Sequence, residues 1–355
     1  MTHVLNIFRI KQQGASARLE LPDYLRGMAM LLVLLHHAGV PYGEWILAFH
    51  MPFLFALSGY MEAILPRKRT FLPYLMNRCL RLLVPYFLFE GINLAVWSAS
   101  LILQGGWQDL SEAAKAILIC QNTMEYTGYY GRLWFLPCMF VSDMLFFFIK
   151  KLSGGRKAVL WISAAAMLGL SWCTCYLLPG RLPFTVDTAC MATAFLIFGY
   201  ALGEKISWLL NKKHLLADIL ILGVMLMVMR VSVLYGRGYC LMFINNYGPF
   251  VWSVLAAFSG SAAFLVIAKW LYPLIKKMRS GMDLVLWYGC NSLATFPVHL
   301  SVKMWTFNSL DGYLWPWYAL LAVIFLLNIP IVNFITQYLP FMLGKFPVRK
   351  KKTVI

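Results

Sequence analysis

The chain has 355 residues, of which 61% are hydrophobic and only 13% charged, and its net charge is +17. A soluble domain is nearer half apolar and about a quarter charged, and apolar runs of about 20 residues recur too often for one soluble core to bury them all. The eight cysteines form no Cys-x-x-Cys pair and no Cys/His metal spacing; most fall inside apolar runs, so they read as packing residues, with no metal site expected.

Residues 1–22 are polar and basic with no apolar core, and are expected to form a cytoplasmic segment rather than a cleavable signal. Ten spans are predicted, at 24–41, 45–65, 80–103, 132–149, 158–178, 185–203, 214–235, 248–272, 284–304 and 315–340. Before the third, Phe71 to Arg81 is expected to lie on the membrane surface, with Pro85 kinking or starting the helix. The connection 104–131 is too short for a second domain, and Leu110 to Cys120 within it is read as a short amphipathic helix. A basic tail, 341–355, follows the last span. The expected fold is therefore all-α, a polytopic integral membrane helical bundle in one domain, 23–340.

Charge orients it. Ten spans put both termini on one side, and that side receives all but Lys115, Arg132, Arg181, Arg230, Arg237 and Lys303 of the 31 Lys and Arg residues. By the positive-inside rule both termini are expected to be cytoplasmic. The basic excess then reads as orientation signal and contact with lipid headgroups, and nucleic acid is not an expected partner.

Ionisable groups within apolar spans are expensive and mark functional candidates. Asp23 and Arg26 open the first span and His37 lies roughly 16 Å further along it. With the alternating topology, His37, His50 and His299 share the outer membrane level, while Arg26, Arg78 and Arg81 share the inner one. Guanidinium forks suit phosphates and a neutral imidazole suits proton removal from a hydroxyl near pH 7. That pattern describes group transfer across a membrane, from a phosphate-bearing donor inside to an acceptor outside. His36 points about 100° away from His37 on one helix, so it is read as a packing residue. Arg26 equally suits snorkelling and a pair with Asp23 one turn back. Ser58, Gly59 and Asn291 suit helix packing, and Ser58 and Asn291 are carried with Trp134 as candidate substrate-binding residues. Trp107 and Tyr129 join Trp134 as aromatic candidates at the outer mouth. Glu90 and Asp143 lie mid-span without an assigned role, either paired with a cation or protonated.

Five motifs in order carry a family resemblance: Asp23-x-x-Arg26-Gly27 followed by His37; Phe49-His50-Met51-Pro52-Phe53 leading to Ser58-Gly59-Tyr60; Arg78-x-x-Arg81 followed by Pro85-Tyr86; Leu133 to Leu136; and Gly289-x-Asn291-Ser292-Leu293 followed by His299. From about Leu21 to Tyr338 the chain resembles the membrane-bound acyltransferase 3 family, in particular its fucose 4-O-acetylase-like branch. The resemblance implies transfer of an acyl group, usually acetyl, from cytoplasmic acyl-CoA (acetyl-CoA as donor substrate, with no resident cofactor) to a sugar hydroxyl. The acceptor would be an envelope glycan or exopolysaccharide, or its lipid-linked precursor. It implies that His37 is catalytic and that Arg78 and Arg81 serve the donor; His50 and His299 then orient the acceptor or His37. A bacterial cytoplasmic (inner) membrane and polysaccharide-biosynthesis partners follow as expectations. The family often has Gly where this chain has His36. Two rival readings stand beside this one: a glycan or small-molecule exporter with a histidine proton relay, and a non-catalytic subunit of a polysaccharide synthase.

Overall fold

The structure is a computed structural model and describes residues 20–67, 69–103, 107–121, 133–211, 214–310 and 315–346. Its helices are α1 Glu20–His37, α2 Gly43–Leu47, α3 His50–Ile64, α4 Phe71–Arg78, α5 Val84–Leu103, α6 Trp107–Leu118, α7 Phe135–Ser153, α8 Lys157–Tyr176, α9 Val186–Ala201, α10 Gly203–Asn211, α11 Leu215–Leu234, α12 Phe250–Lys277, α13 Arg279–Cys290, α14 Ser292–Leu310 and α15 Trp317–Tyr338. Among the described residues the only β-pairing is an isolated bridge between Leu241 and Asn246.

Seven stretches are long and apolar enough to cross a membrane: Gly43–Ile64, Phe71–Ser98, Lys157–Tyr176, Pro183–Ala201, Leu215–Leu234, Phe250–Lys277 and Trp317–Tyr338. With so many, this is an integral membrane protein. The other three predicted spans are helical but carry more polar side chains. In α1 these are Glu20, Asp23, Arg26, His36 and His37; in α7, Asp143, Lys150 and Lys151; and over α13 and α14, Asp283, Asn291, His299 and Lys303.

Local chemistry explains where the helices depart from the predicted spans. The second span breaks at Ala48–Phe49, because Pro52 has no N–H and its ring collides with the carbonyl four residues back. The segment expected on the membrane surface before the third span is helical and runs continuously into it. α4 runs into a π-helical turn, Cys79–Leu83, and on into α5. The wide turn absorbs Pro85, whose ring faces the Arg81 carbonyl, without ending the helix. Gly344, at φ +63°, closes against the Leu80 backbone of that turn, an approach a β-carbon would block. The ninth predicted span is two helices, since Asn291 leaves helical geometry and its amide donates to the Trp287 carbonyl at 3.0 Å.

Two helix crossings fix the bundle. A β-carbon at Gly59 would overlap the Leu196 carbonyl, and one at Gly199 the Ala56 carbonyl, so α3 and α9 meet backbone to backbone. Gly27 meets Val285 and Gly289 meets Asp23 in the same reciprocal way between α1 and α13. In lipid, where apolar burial gives little drive, such close approach supplies the packing that holds helices together. α1 and α3 are thereby held with their polar ends facing the interior.

Candidate active site

Two cavities open inside the bundle, and α1, α3 and α14 line both. The larger, about 900 Å³, takes Arg26 and Met30 from α1, Leu54 and Ser58 from α3, Asp143 from α7 and Leu293 from α14. The smaller, about 390 Å³, takes His36 and His37 from α1, His50 from α3, and Leu300 and Lys303 from α14, with Trp134 just ahead of α7. Arg26 and His37 are 11 positions apart on α1, roughly 16 Å along the axis. One end of the bundle is therefore guanidinium-rich and the other imidazole-rich.

The larger cavity is strongly basic. Arg26, Arg67, Arg69, Arg78, Arg81, Lys150 and Lys151 line it, against the carboxylates of Glu62 and Asp143. Arg78 Nε lies 3.1 Å from Asp143 Oδ2, and Arg69 and Arg78 both stand over the Tyr74 ring, at 5.0 and 5.2 Å. Glu62 binds Arg69 at 3.1 Å and Lys150 at 2.9 Å. Arg26 pairs with Asp23 at 2.8 Å and also lines the cavity. The π-helical turn carries Arg81 to the same wall as Arg78. A pocket with this cation excess recognises polyanions, phosphates above all.

Four imidazoles stand in a row at the smaller cavity, three of them (His36, His37 and His50) in its lining and His299 buried behind His37. His50 lies 5.3 Å from His36, His36 lies 5.4 Å from His37, and His37 lies 5.0 Å from His299, centroid to centroid. His50 Nδ1–H donates to the Ile46 carbonyl at 2.8 Å, and His299 Nδ1–H donates to the Thr295 carbonyl at 3.1 Å. A carbonyl only accepts, so each of these rings is fixed in the Nδ1–H tautomer with its Nε2 lone pair turned elsewhere. The His299 Nε2 is buried and meets no hydrogen-bond partner among the described residues. Among the described residues, no group of three or more His, Cys, Asp or Glu side chains is arranged to hold a metal ion.

Most residues singled out in the sequence fall within the described structure. His37, His50 and His299 share the smaller cavity or its wall, and Trp134 lines it. Arg26, Arg78 and Arg81 share the larger one, and so does Ser58, whose hydroxyl donates to the Leu54 carbonyl at 3.0 Å. Asn291 lies at the α13–α14 junction and is in the lining of neither cavity. Tyr129 and the Trp107 side chain lie outside the described residues. His36 departs from its expected place as a packing residue. Its divergence from His37 turns it toward His50, which α3 brings to that side, so it joins the two rings. Asp143 has Arg78 as its partner, and Glu90 accepts the Leu133 N–H at 2.7 Å, anchoring the approach to α7. The amphipathic helix expected near Leu110 is α6, whose Ile117 carbonyl accepts from the Tyr86 hydroxyl at 3.3 Å.

The bundle is thus an integral membrane protein with a cation-lined cavity and an imidazole cluster at opposite ends of shared helices. The model of a known acyltransferase domain, that of the acyltransferase 3 family, matches residues 20–335; the chain belongs to that family and is a membrane acyltransferase. Comparison with curated proteins and with solved structures found no match.

Proposed function

We propose that this protein is an O-acyltransferase that moves a short acyl group, acetyl in the first instance, from acyl-CoA to a sugar hydroxyl. The observation that carries the reading is the pair of cavities on shared helices. The basic cavity suits the nucleotide phosphates of the donor, and the imidazole cluster lies one extended arm away, where the thioester would have to react. Arg78, Arg81 and Arg26 hold the phosphates; Trp134 stacks on the acceptor sugar. The acceptor is an envelope glycan or exopolysaccharide, or its lipid-linked precursor. The positive-inside pattern supports ten crossings with both termini and the basic cavity at the cytoplasmic face of a bacterial inner membrane.

The chemistry balances with this chain's own groups. The His37 imidazole accepts the proton of the acceptor hydroxyl as that oxygen bonds to the thioester carbonyl carbon. The carbon–sulfur bond breaks, and the departing coenzyme A thiolate takes the proton back from His37. His36 and His299 flank the His37 ring and hold its orientation; His50 acts through His36. Ser58 sits on the donor side and Asn291 in the helix junction, so neither is assigned to the acceptor.

The test is release of radiolabelled acetate from acetyl-CoA by the purified chain in liposomes, comparing wild type with His37→Ala, with acceptor-containing membrane extract added. The expected result is release and transfer that vanish in His37→Ala while membrane insertion is unchanged. Full activity of His37→Ala, or no turnover by wild type even with extract, would overturn the reading.

A further inference from the structure

The two cavities are joined at a single ring. Phe296, on α14, lines both of them, and among the described residues it is the one that does so. Its side chain is buried. Its ring lies 4.8 Å from Phe135 on the basic side and 5.6 Å from His299 on the imidazole side. Phe135 is in turn backed by Phe55, at 5.1 Å, which lines neither cavity. The neck is therefore aromatic, supported from α3 and α7, and it stands between the guanidinium groups and His37.

We infer that Phe296 is the specificity-determining residue for the donor's acyl group, admitting short, unbranched, uncharged acyl groups to the histidine cluster and holding back branched or carboxylate-bearing ones. The inference rests on the acyl-CoA reading above. If the phosphates sit among Arg78 and Arg81 and the carbonyl carbon reacts beside His37, the acyl group passes Phe296 on the way in. A branch must then displace a ring packed between Phe135 and His299, and a packed interior resists such displacement. A carboxylate must shed water against two phenyl rings that offer it no hydrogen bond. One methylene more or less in an apolar pocket discriminates by about 10- to 200-fold, the size of effect expected of this neck.

The full chain in liposomes is assayed for coenzyme A thiol release with acetyl-CoA, isobutyryl-CoA and succinyl-CoA. Wild type, Phe296→Ala, Phe296→Leu and Phe55→Leu are compared. Phe296→Ala is expected to raise the isobutyryl-to-acetyl ratio of kcat/KM by about 10-fold or more, with the KM for acetyl-CoA unchanged because the phosphates bind elsewhere. Phe296→Leu is expected to raise the ratio less, and it carries the test if the alanine variant does not insert. Phe55→Leu loosens only the backing of Phe135, away from both cavities, and is expected to raise the ratio by less than either Phe296 variant. Acetyl turnover with an unmoved ratio in the Phe296 variants would overturn the assignment, as would an equal shift in Phe55→Leu. Wild type that turns over none of the three thioesters would instead overturn the acyl-CoA reading on which the assignment stands.

Discussion

Arg78 is asked to do two things, and the structure gives a way to separate them. It neutralises Asp143 at 3.1 Å, and in the proposed function it also binds donor phosphate. The Asp143 side chain is only 6% exposed, whereas Arg78 is 30% exposed. Replacing Arg78 by Gln strands a buried carboxylate. Complete loss of a buried partner costs about 3–5 kcal/mol; the Gln amide and Arg69, across the Tyr74 ring, offset part of that, leaving about 2–3 kcal/mol. In Arg78→Gln/Asp143→Asn the stranded charge is gone, and an amide pair recovers stability to within about 1 kcal/mol of wild type. Donor binding follows a different rule, because one charge-assisted hydrogen bond to a phosphate is worth about 1.5–3 kcal/mol, or about 10- to 150-fold in affinity. Both variants should therefore show the raised KM for acetyl-CoA, while only the single variant is destabilised. Unfolding in detergent, followed beside thioester turnover, reads the two separately. A double variant that regains wild-type KM along with stability would refute donor binding by Arg78 and leave it a structural counter-ion.

Three further outcomes follow from the packing. His36→Ala removes the ring between His37 and His50, and loosening the His37 ring by about 1 Å should lower kcat about 100-fold with the donor KM unchanged; His36→Phe should recover part of that loss, and wild-type kcat in His36→Ala would return the residue to a packing role. Gly199→Ala drives a methyl group into the Ala56 carbonyl and should cost about 1–3 kcal/mol of stability, whereas Gly199→Leu should fail to accumulate as folded protein, both read by detergent-resistant thermal unfolding. Glu20, ahead of the first apolar run, has its carboxyl held below the usual range by hydrogen bonds from the Tyr272 hydroxyl at 2.7 Å and the Lys276 ammonium at 2.9 Å. Its folded-state pKa is depressed, so its contribution is present above the unfolded-state pKa and is lost as pH falls through the folded one; the Tm gap between wild type and Glu20→Gln should be small, because the group is exposed, and should close in acid, and a gap that persists at low pH would contradict the linkage.

The sequence made the helical class and the two polar levels legible, because a charge or an imidazole in an apolar run is a local signal that survives without knowing any neighbour. Helix rotation is not such a signal. The geometry of one helix alone turns the His36 ring away from His37, and the ring does diverge from it. What brings it into the cluster is His50 arriving from α3, at an angle set by the break ahead of Pro52. Asp143 and Arg78 were both visible, yet their pairing depends on how α7 turns toward the helix bearing Arg78. Phe296 carried no signal, since a phenylalanine in an apolar run reads as filler until two cavities are seen to meet at it.

The helices α1, α7 and α14, which fall short of the apolar content of a membrane span, all contribute to the site, beside α3 and the helix bearing Arg78, which do not fall short. α8 and α11 present long exposed apolar faces, among them Ile162, Leu170, Leu220 and Met227, as lipid-facing helices must. α1, α7 and α14 give up that apolar surplus for Arg26, His37, Asp143, His299 and Lys303, and they do so where other helices enclose them. A polar side chain facing lipid is costly, while one facing a bundle interior is stabilised by partners such as Arg78 for Asp143 or the Thr295 carbonyl for His299. Low hydropathy in a span thus carries two meanings at once. It shows that the helix is enclosed by protein, and it shows which of its residues the enclosure was built to hold.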